Sequence, residues 1–468
     1  MIYDIAVIGA GSGGLSVAAA AAQFGRKVVL FEKGKMGGDC LNYGCIPSKA
    51  LIAAAKHAHA MRSGGKFGVA AQEPAIDFQA VHDHVHRVIA AIAPNDSQER
   101  FEKLGVHVVR AEARFCDAAS IVADGQVYAA RRFVIATGSR AAIPPIPGLA
   151  DVPHFTNETL FDNTVRPAHL IIIGGGPIGL EMAQAHRRLG SRVTVIEAVD
   201  PLGKDDPELT GVVIKALTSE GIDILARTAV KSVRQTKAGV AIETDGRRMI
   251  EGSHILVAAG RIANVEGLNL EAAGIAYSRK GITVDHGLRT VNRRVYAVGD
   301  VAGGLQFTHV AGYHAGLVIR NALFRLPVKN RADIIPWVTY TDPELAHVGL
   351  TEAQARQQFG EAVRTVRWPF HDNDRAQAEG KTQGLVKAVV GKGGRILGAS
   401  IVGAQAGELI QPWVLAMSNG LKIKAFANMV APYPTLGEAN RRAAIGYFSR
   451  LATNPWVRRV IGMLSRFG

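Results

Sequence analysis

Two stretches of this chain repeat one another, and the repeat sets the fold. Residues 2–33 read IYDIAVIGAGSGGLSVAAAAAQFGRKVVLFEK, and residues 169–198 read HLIIIGGGPIGLEMAQAHRRLGSRVTVIEA. Each predicts an apolar strand, a G-x-G-x-x-G turn, a helix, a second strand and a terminal glutamate. The turn glycines are Gly9, Gly11 and Gly14 in the first copy and Gly174, Gly176 and Gly179 in the second. In such a turn the first glycine permits the bend. The second lets the backbone approach a pyrophosphate, and the third lets helix and strand pack closely. Glu32 and Glu197 each follow the first glycine of their turn by 23 residues, where a carboxylate reaches a ribose hydroxyl. One such turn is weak evidence; two with matching strands and acids predict two dinucleotide sites.

Glu197 favours NADH, because its charge repels the 2′-phosphate of NADPH; Arg187, Arg188, Arg192 and Lys204 nearby weaken that preference. FVIATGSR (133–140) and ILVAAGR (255–261) read as buried strands ending in glycine turns, which adds Thr137, Gly138 and Gly260 to the candidate binding residues. Pro144, Pro145 and Pro147 then make a stiff segment suited to a domain crossing. VYAVGDVAGG (295–304) places Asp300 at a strand's carboxyl end, the ligand-facing side of an open α/β sheet.

The chain has three cysteines, too few for a disulfide-stapled secreted scaffold, and two of them sit five apart in GGDCLNYGCIPSK (37–49). Small buried residues or half a zinc site are the plain alternatives, but no second ligand pair follows at zinc-finger spacing. A redox disulfide between Cys40 and Cys45 fits better. Helical residues five apart lie roughly 8–9 Å from each other, whereas a disulfide needs about 4.4–6.8 Å between Cα atoms. The backbone between the two must therefore depart from a helix, which Gly44 eases. Pro47 suits a first helical turn and puts Cys45 at a helix N-terminus, where the dipole lowers a thiol's pKa. Lys49 adds a cation.

With these pieces in place the chain resembles the class I flavoprotein disulfide reductases, among them lipoamide dehydrogenase, glutathione reductase and mercuric reductase, over about residues 3–450. The resemblance implies an α/β fold: two Rossmann-like domains of three-layer ββα form plus a C-terminal α+β dimerisation domain. It places an FAD domain at 1–148 and 265–334, an NAD(P) domain at 149–264 and dimerisation residues at 335–450, with a basic tail at 451–468. It also implies FAD at the first turn, where Gly38 joins the binding set, NAD(P)H at the second, and Asp300 near the FAD ribityl or phosphate. Cys45 becomes the flavin-facing thiolate with charge-transfer character, Cys40 the interchange thiol, and Lys49 the partner of Glu181. The expected activity runs from NAD(P)H to FAD, to the cysteine pair, and on to a small-molecule disulfide or a thiol-bound metal ion. A diaphorase, a transhydrogenase or a membrane-docked electron carrier would not need the cysteines. A homodimer is implied as well.

The departures from that family concern the substrate end. Relatives carry a His-Pro base near the C-terminus, with a glutamate five residues on; here APYPTLGEANRRAA (431–444) has Tyr433 and Glu438. A tyrosine titrates near 10 and a histidine near 6.5, so Tyr433 is a poor base at neutral pH. Mercuric reductases share the tyrosine but carry a C-terminal cysteine pair, which SRLATNPWVRRVIGMLSRFG lacks. Pro177 stands where many relatives place a tyrosine over the nicotinamide pocket.

The remaining signals are general. The net charge of +14 comes without any nucleic-acid motif, which suggests a solvated basic surface and no nucleic-acid partner. Neither a signal peptide nor an 18-residue apolar run is visible, so a cytoplasmic protein is expected. His82 and His86 could share a helix face, Cys116 is expected in the core, and no resident metal is expected. In the tail, Trp456, Val457, Val460, Ile461, Leu464 and Phe467 would form one apolar stripe beside Arg458, Arg459 and Arg466. That stripe suits either a peripheral membrane contact or packing within the dimer.

Overall fold

A computed structural model describes residues 2–237 and 239–467; Met1, Ala238 and Gly468, which the expected domain spans include, lie outside the described residues. The chain forms two compact units. One holds the residues through Ala198 together with Ile222–Asn330; the other holds Val199–Gly221 and the residues from Arg331 onward.

The sequence repeat is a structural repeat. In the first unit, strand Ile2–Ile8, helix Ser12–Gln23 and strand Val28–Phe31 form one βαβ element, and His169–Ile173, Pro177–Arg188 and Arg192–Ile196 form the other. Both pairs of strands are parallel. The repetition also reaches further than the glycine motifs. Each copy adds a third parallel strand, Val106–Val109 or Asp223–Leu225. A three-stranded antiparallel meander follows, Ala113–Ile135 in one copy and Val230–Gly252 in the other. Beside the first strand of each copy a further parallel strand then pairs, Gln126–Ile135 or His254–Val257, and in the first copy Val295–Ala297 is added beyond it.

The innermost parallel strands are largely apolar because both faces of a parallel sheet are covered. Ile5, Val7 and Leu30 pack into one core cluster, while Ala6, Ile8, Phe31 and Phe133 pack into another on the opposite face. Each fully buried Ile, Leu or Phe contributes about 1.5–3 kcal/mol. Strand Ala113–Asp117 alternates instead, with Phe115 inward. Cys116 is therefore exposed and bonds to Ser120 Oγ at 3.0 Å, which corrects its expected place in the core.

Chain connections between the two halves of this unit pair with each other: Ser139–Ala141 runs antiparallel to Arg261–Ala263. They bring Thr137, Gly138 and Gly260 close to Arg261 and Asp300, as described below.

The second unit is α+β. Its five-stranded antiparallel sheet runs in the order Pro336–Thr339, Glu344–Gly349, Ile396–Gly403, Leu385–Val390, Arg364–Pro369. Trp413 is buried at its heart, stacked on Phe426 at 3.9 Å and donating its indole N–H to Asn440 Oδ1. Helix Pro207–Ser219 groups with this unit. It buries Leu209, Val213 and Leu217, and its start meets a buried cation. Lys387, buried in the sheet, reaches Asp206 at 2.7 Å, Glu208 at 2.8 Å and Glu352 at 2.9 Å. A buried ammonium needs such partners, and two of the three lie at the start of that helix. Among the described residues, no helix is long and apolar enough to cross a membrane.

Candidate functional site

Both glycine turns are built to admit a phosphate. Gly9 and Gly174 have φ of +102° and +115°, a left-handed backbone that a side chain resists. A Cβ on Gly14 would fall 1.8 Å from the Gly9 carbonyl oxygen, and one on Gly179 would fall 2.0 Å from that of Gly174. The acids match as well. Glu32 Oε2 accepts the Ala10 amide at 2.7 Å, and Glu197 Oε2 accepts the Gly175 amide at 2.7 Å. Each acid thus braces the residue after its turn's first glycine.

The copies differ at their middle glycines. A Cβ on Gly38 would lie 2.7 Å from Gly11 Cα, so two side-chain-free backbones meet there; Gly176 has open space around it. That bare cradle, at the N-terminus of helix Ser12–Gln23, fits the pyrophosphate of FAD.

Next to the cradle, helix Gly38–Asn42 carries Cys40 and helix Cys45–Arg62 begins at Cys45. The break expected between them is present. Gly44 has φ −124° and ψ −111°, and a Cβ there would sit 3.0 Å from both Asp39 O and Asp39 Oδ2. Pro47 lies in the first turn of the second helix. Both cysteines are free thiols, with Cys45 exposed and Cys40 half-buried.

Their proton affinities are driven apart. A hydrogen bond from Cys40 stabilises the Cys45 thiolate. Despite the opposing effect of desolvation, Cys45 falls to about 6, helped by the Thr308 hydroxyl at 3.3 Å and by Lys49. The Cys40 thiol is pushed up by that same bond to Cys45 and then by burial. Lys49 Nζ meets Glu181 Oε2 at 2.8 Å, and Glu181 is only 5% exposed, so the expected pair forms.

Asp300 lies in a charged chain on the same unit. Ser139 Oγ donates to Asp300 Oδ2 at 2.5 Å, Arg261 Nε donates to Ser139 Oγ at 2.7 Å, and Arg261 pairs with Asp39 at 3.1 Å. Burial raises the Asp300 carboxyl despite these donors. Asn157 Nδ2 holds the other oxygen of Asp39 at 2.8 Å. Thr137, expected at a cofactor, donates its hydroxyl to the Asn264 carbonyl at 2.7 Å, which ties the two chain crossings together. Gly138 takes φ +66°, and Gly260 takes φ +120° with its carbonyl accepting the Ala142 amide.

In the second unit, Tyr433 and Glu438 each meet another partner. The Tyr433 hydroxyl donates to Asp374 Oδ2 at 2.8 Å, and Glu438 pairs with Arg442 at 2.9 Å. The Asp374 carboxylate raises the phenol's pKa above its ordinary value of 10.0. Sequence reasoning missed Thr308, Asp374 and the Ser139–Arg261–Asp39 chain; each is defined by a partner 59 or more residues away. His82 and His86 stack at 4.2 Å on one helix, with His86 Nε2 3.1 Å from the Phe161 carbonyl oxygen.

Comparison with known proteins agrees with this geometry. Residues 3–315 match the pyridine nucleotide-disulphide oxidoreductase family, and residues 335–444 match the dimerisation domain of that family. A mercuric reductase from Streptomyces lividans is 36% identical over 461 residues, covering 96% of this chain and 97% of the relative. A dihydrolipoyl dehydrogenase from Staphylococcus aureus is 35% identical over 464 residues, covering 95% and 97%. Among solved structures, the Cu(II) complex of the HOCl-induced flavoprotein disulfide reductase RclA from Escherichia coli superposes with a TM-score of 0.85. It is 27% identical and covers 94% of this chain and 99% of that one. The chain belongs to the pyridine nucleotide-disulphide oxidoreductase family, whose enzymes work with FAD and NAD(P)H.

Proposed function

We propose that this enzyme uses NAD(P)H, FAD and the Cys40–Cys45 pair to reduce a thiol-bound metal ion in preference to dihydrolipoamide-type exchange. The observation that carries the reading is the state of its proton-transfer groups. Cys45 is a ready thiolate, Cys40 holds its proton tightly, and Tyr433 is tied to Asp374.

Exchange with a disulfide requires the Cys40 proton to leave before its sulfur can attack, and a base with a pKa above 10 in its neutral form cannot take it at neutral pH. A metal ion removes this requirement. The interchange thiol Cys40 meets it and loses its proton on coordination, with the Cys45 thiolate beside it as the second ligand. The balance closes. Cys40–SH and the Cys45 thiolate give up two electrons and form their disulfide; the divalent ion gains those electrons and releases its two thiol ligands, one of which keeps the Cys40 proton. Bound FAD supplies the hydride chemistry that returns the disulfide to the dithiol at the expense of NAD(P)H.

The chain's own residues frame that chemistry. Residues 1–148 and 265–334 hold FAD through the Gly9–Gly11–Gly14 cradle, Gly38, Glu32 and Asp300; residues 149–264 hold the nicotinamide dinucleotide through Gly174, Gly176, Gly179 and Glu197. Glu197 favours NADH. Arg188, a candidate for a 2′-phosphate, is buried, and Arg187 Nη1 donates to the Ser191 carbonyl. Lys49, neutralised by Glu181, stays beside the reacting cysteine as an oriented cation. The matched dimerisation domain supports a homodimer.

An anaerobic NADH titration tests the dithiol step. The wild-type enzyme should take up two electron pairs, one for flavin and one for the cysteines; Cys40→Ser should take up one. Uptake of a single pair by both would contradict the proposal.

A further inference from the structure

The segment after the dimerisation residues carries chemistry that the reductase does not use. The match to the dimerisation domain ends at residue 444, and helix Pro455–Leu464 lies beyond it. The sequence starts this helix deliberately. Asn454 Oδ1 accepts the Trp456 amide at 2.9 Å, and Pro455 occupies the first turn.

Yet no described residue buries this helix. None of its ten residues is buried, and Trp456 and Phe467 are 73% and 83% exposed. A helix this short does not hold itself together in water, so its apolar face needs a cover. At 100° per residue, Val457, Ile461, Leu464, Val460, Trp456 and Met463 fall on one side of the helix, and Phe467 follows its end. Arg458, Arg459 and Arg466 share the other with Gly462 and Ser465.

Charge identifies the cover. From residue 439 to the end the sequence has six arginines and no aspartate or glutamate. A groove of ≈ 330 Å³ beside the root of the tail is lined by Arg364 and Arg450 with Tyr447 and Ser449, and by Arg356 and Arg367, whose charges already meet Glu352 and Glu208. A second copy meeting this face around a two-fold axis would set arginines against arginines. An anionic lipid surface satisfies both faces at once: acyl chains take Trp456, Ile461, Leu464 and Phe467, and headgroup phosphates take the arginines. We propose that helix Pro455–Leu464 docks this enzyme on anionic membranes, lying in the plane of the interface without crossing it. The inference does not depend on which acceptor the cysteines reduce.

The test is co-sedimentation of the FAD-loaded full-length enzyme with vesicles of phosphatidylcholine alone and of phosphatidylcholine with phosphatidylglycerol, at low and high salt. Binding should require the anionic lipid and weaken with salt. A chain ending at residue 453 should stay in the supernatant with normal NADH-dependent turnover. Arg458→Gln/Arg459→Gln/Arg466→Gln should bind roughly 100-fold more weakly, three charges at about fivefold each. The blue-shifted emission on vesicle binding should vanish in Trp456→Phe, since Trp337, Trp368 and Trp413 stay in place. The proposal is overturned if truncation leaves sedimentation unchanged. It is equally overturned if truncation turns the dimer into a monomer on a sizing column, for then the apolar face belongs to a second copy.

Discussion

The cysteine pair and the tyrosine near the C-terminus show opposite uses of a neighbouring group. At Cys45, a hydrogen bond from Cys40, a hydroxyl from Thr308 and the charge of Lys49 all favour the ionised form, and the thiol drops to about 6. At Tyr433, the Asp374 carboxylate that accepts its hydrogen bond favours the neutral form, and the phenol is held above its ordinary range. The first arrangement makes a group that reacts at neutral pH; the second makes one that only donates a hydrogen bond. On the proposed reading, the difference is that electron delivery is preserved here while proton removal is not.

The comparison breaks most visibly at the thiolate. Cys45→Ser should lower acceptor turnover by roughly 10³-fold or more, with NADH still reducing the flavin in a stopped-flow trace. Equal turnover in this variant would return the enzyme to the diaphorase reading. The next largest effect is a gain. Tyr433→His should raise dihydrolipoamide turnover by roughly 10- to 100-fold, because a general base typically contributes 10²–10⁴-fold when well placed. Metal-ion turnover should not change, and a parallel rise in both would show that the base was never the difference.

Lys49→Met leaves the Glu181 carboxylate buried without its cation. Since Lys49 is partly exposed, the loss should be about 1–3 kcal/mol in urea denaturation, below the cost of breaking a fully buried pair. A Lys49→Met/Glu181→Met double variant should recover part of it. The smallest effect sharpens the comparison. The thiolate-dependent rate should fall as pH drops through about 6, because protonation of Cys45 removes the nucleophile. Thr308→Val removes one hydrogen bond to that thiolate, so the fall should begin at higher pH, by less than about one unit. An unmoved inflection would assign the low pKa to Cys40 and Lys49 alone.

What the sequence made legible follows from how each feature is encoded. The turns at Gly9 and Gly174 were readable because sterics within a few residues demand glycine, and because the acids return at a fixed interval. Cys45 was readable as a helix N-terminus from Gly44 and Pro47. Thr308 was not. It meets Cys45 across 263 residues, and nothing near either one announces the other. Asp374 beside Tyr433 is hidden in the same way. The cluster at the start of helix Pro207–Ser219 is hidden too: Asp206 and Glu208 meet Lys387 across 181 and 179 residues. The third strand and meander of each nucleotide domain repeat in structure without a shared motif, since a covered sheet asks only for apolar residues and tolerates many.

The most direct test of the central claim is NADH consumption by the purified flavoprotein with thiol-complexed Hg(II) and with lipoamide, measured side by side. The account predicts steady turnover with the metal ion and lipoamide turnover at least ~100-fold slower, the share a missing base removes. Lipoamide turnover equal to or faster than that with the metal ion would contradict it, and would mean that Tyr433 does the work of a histidine after all.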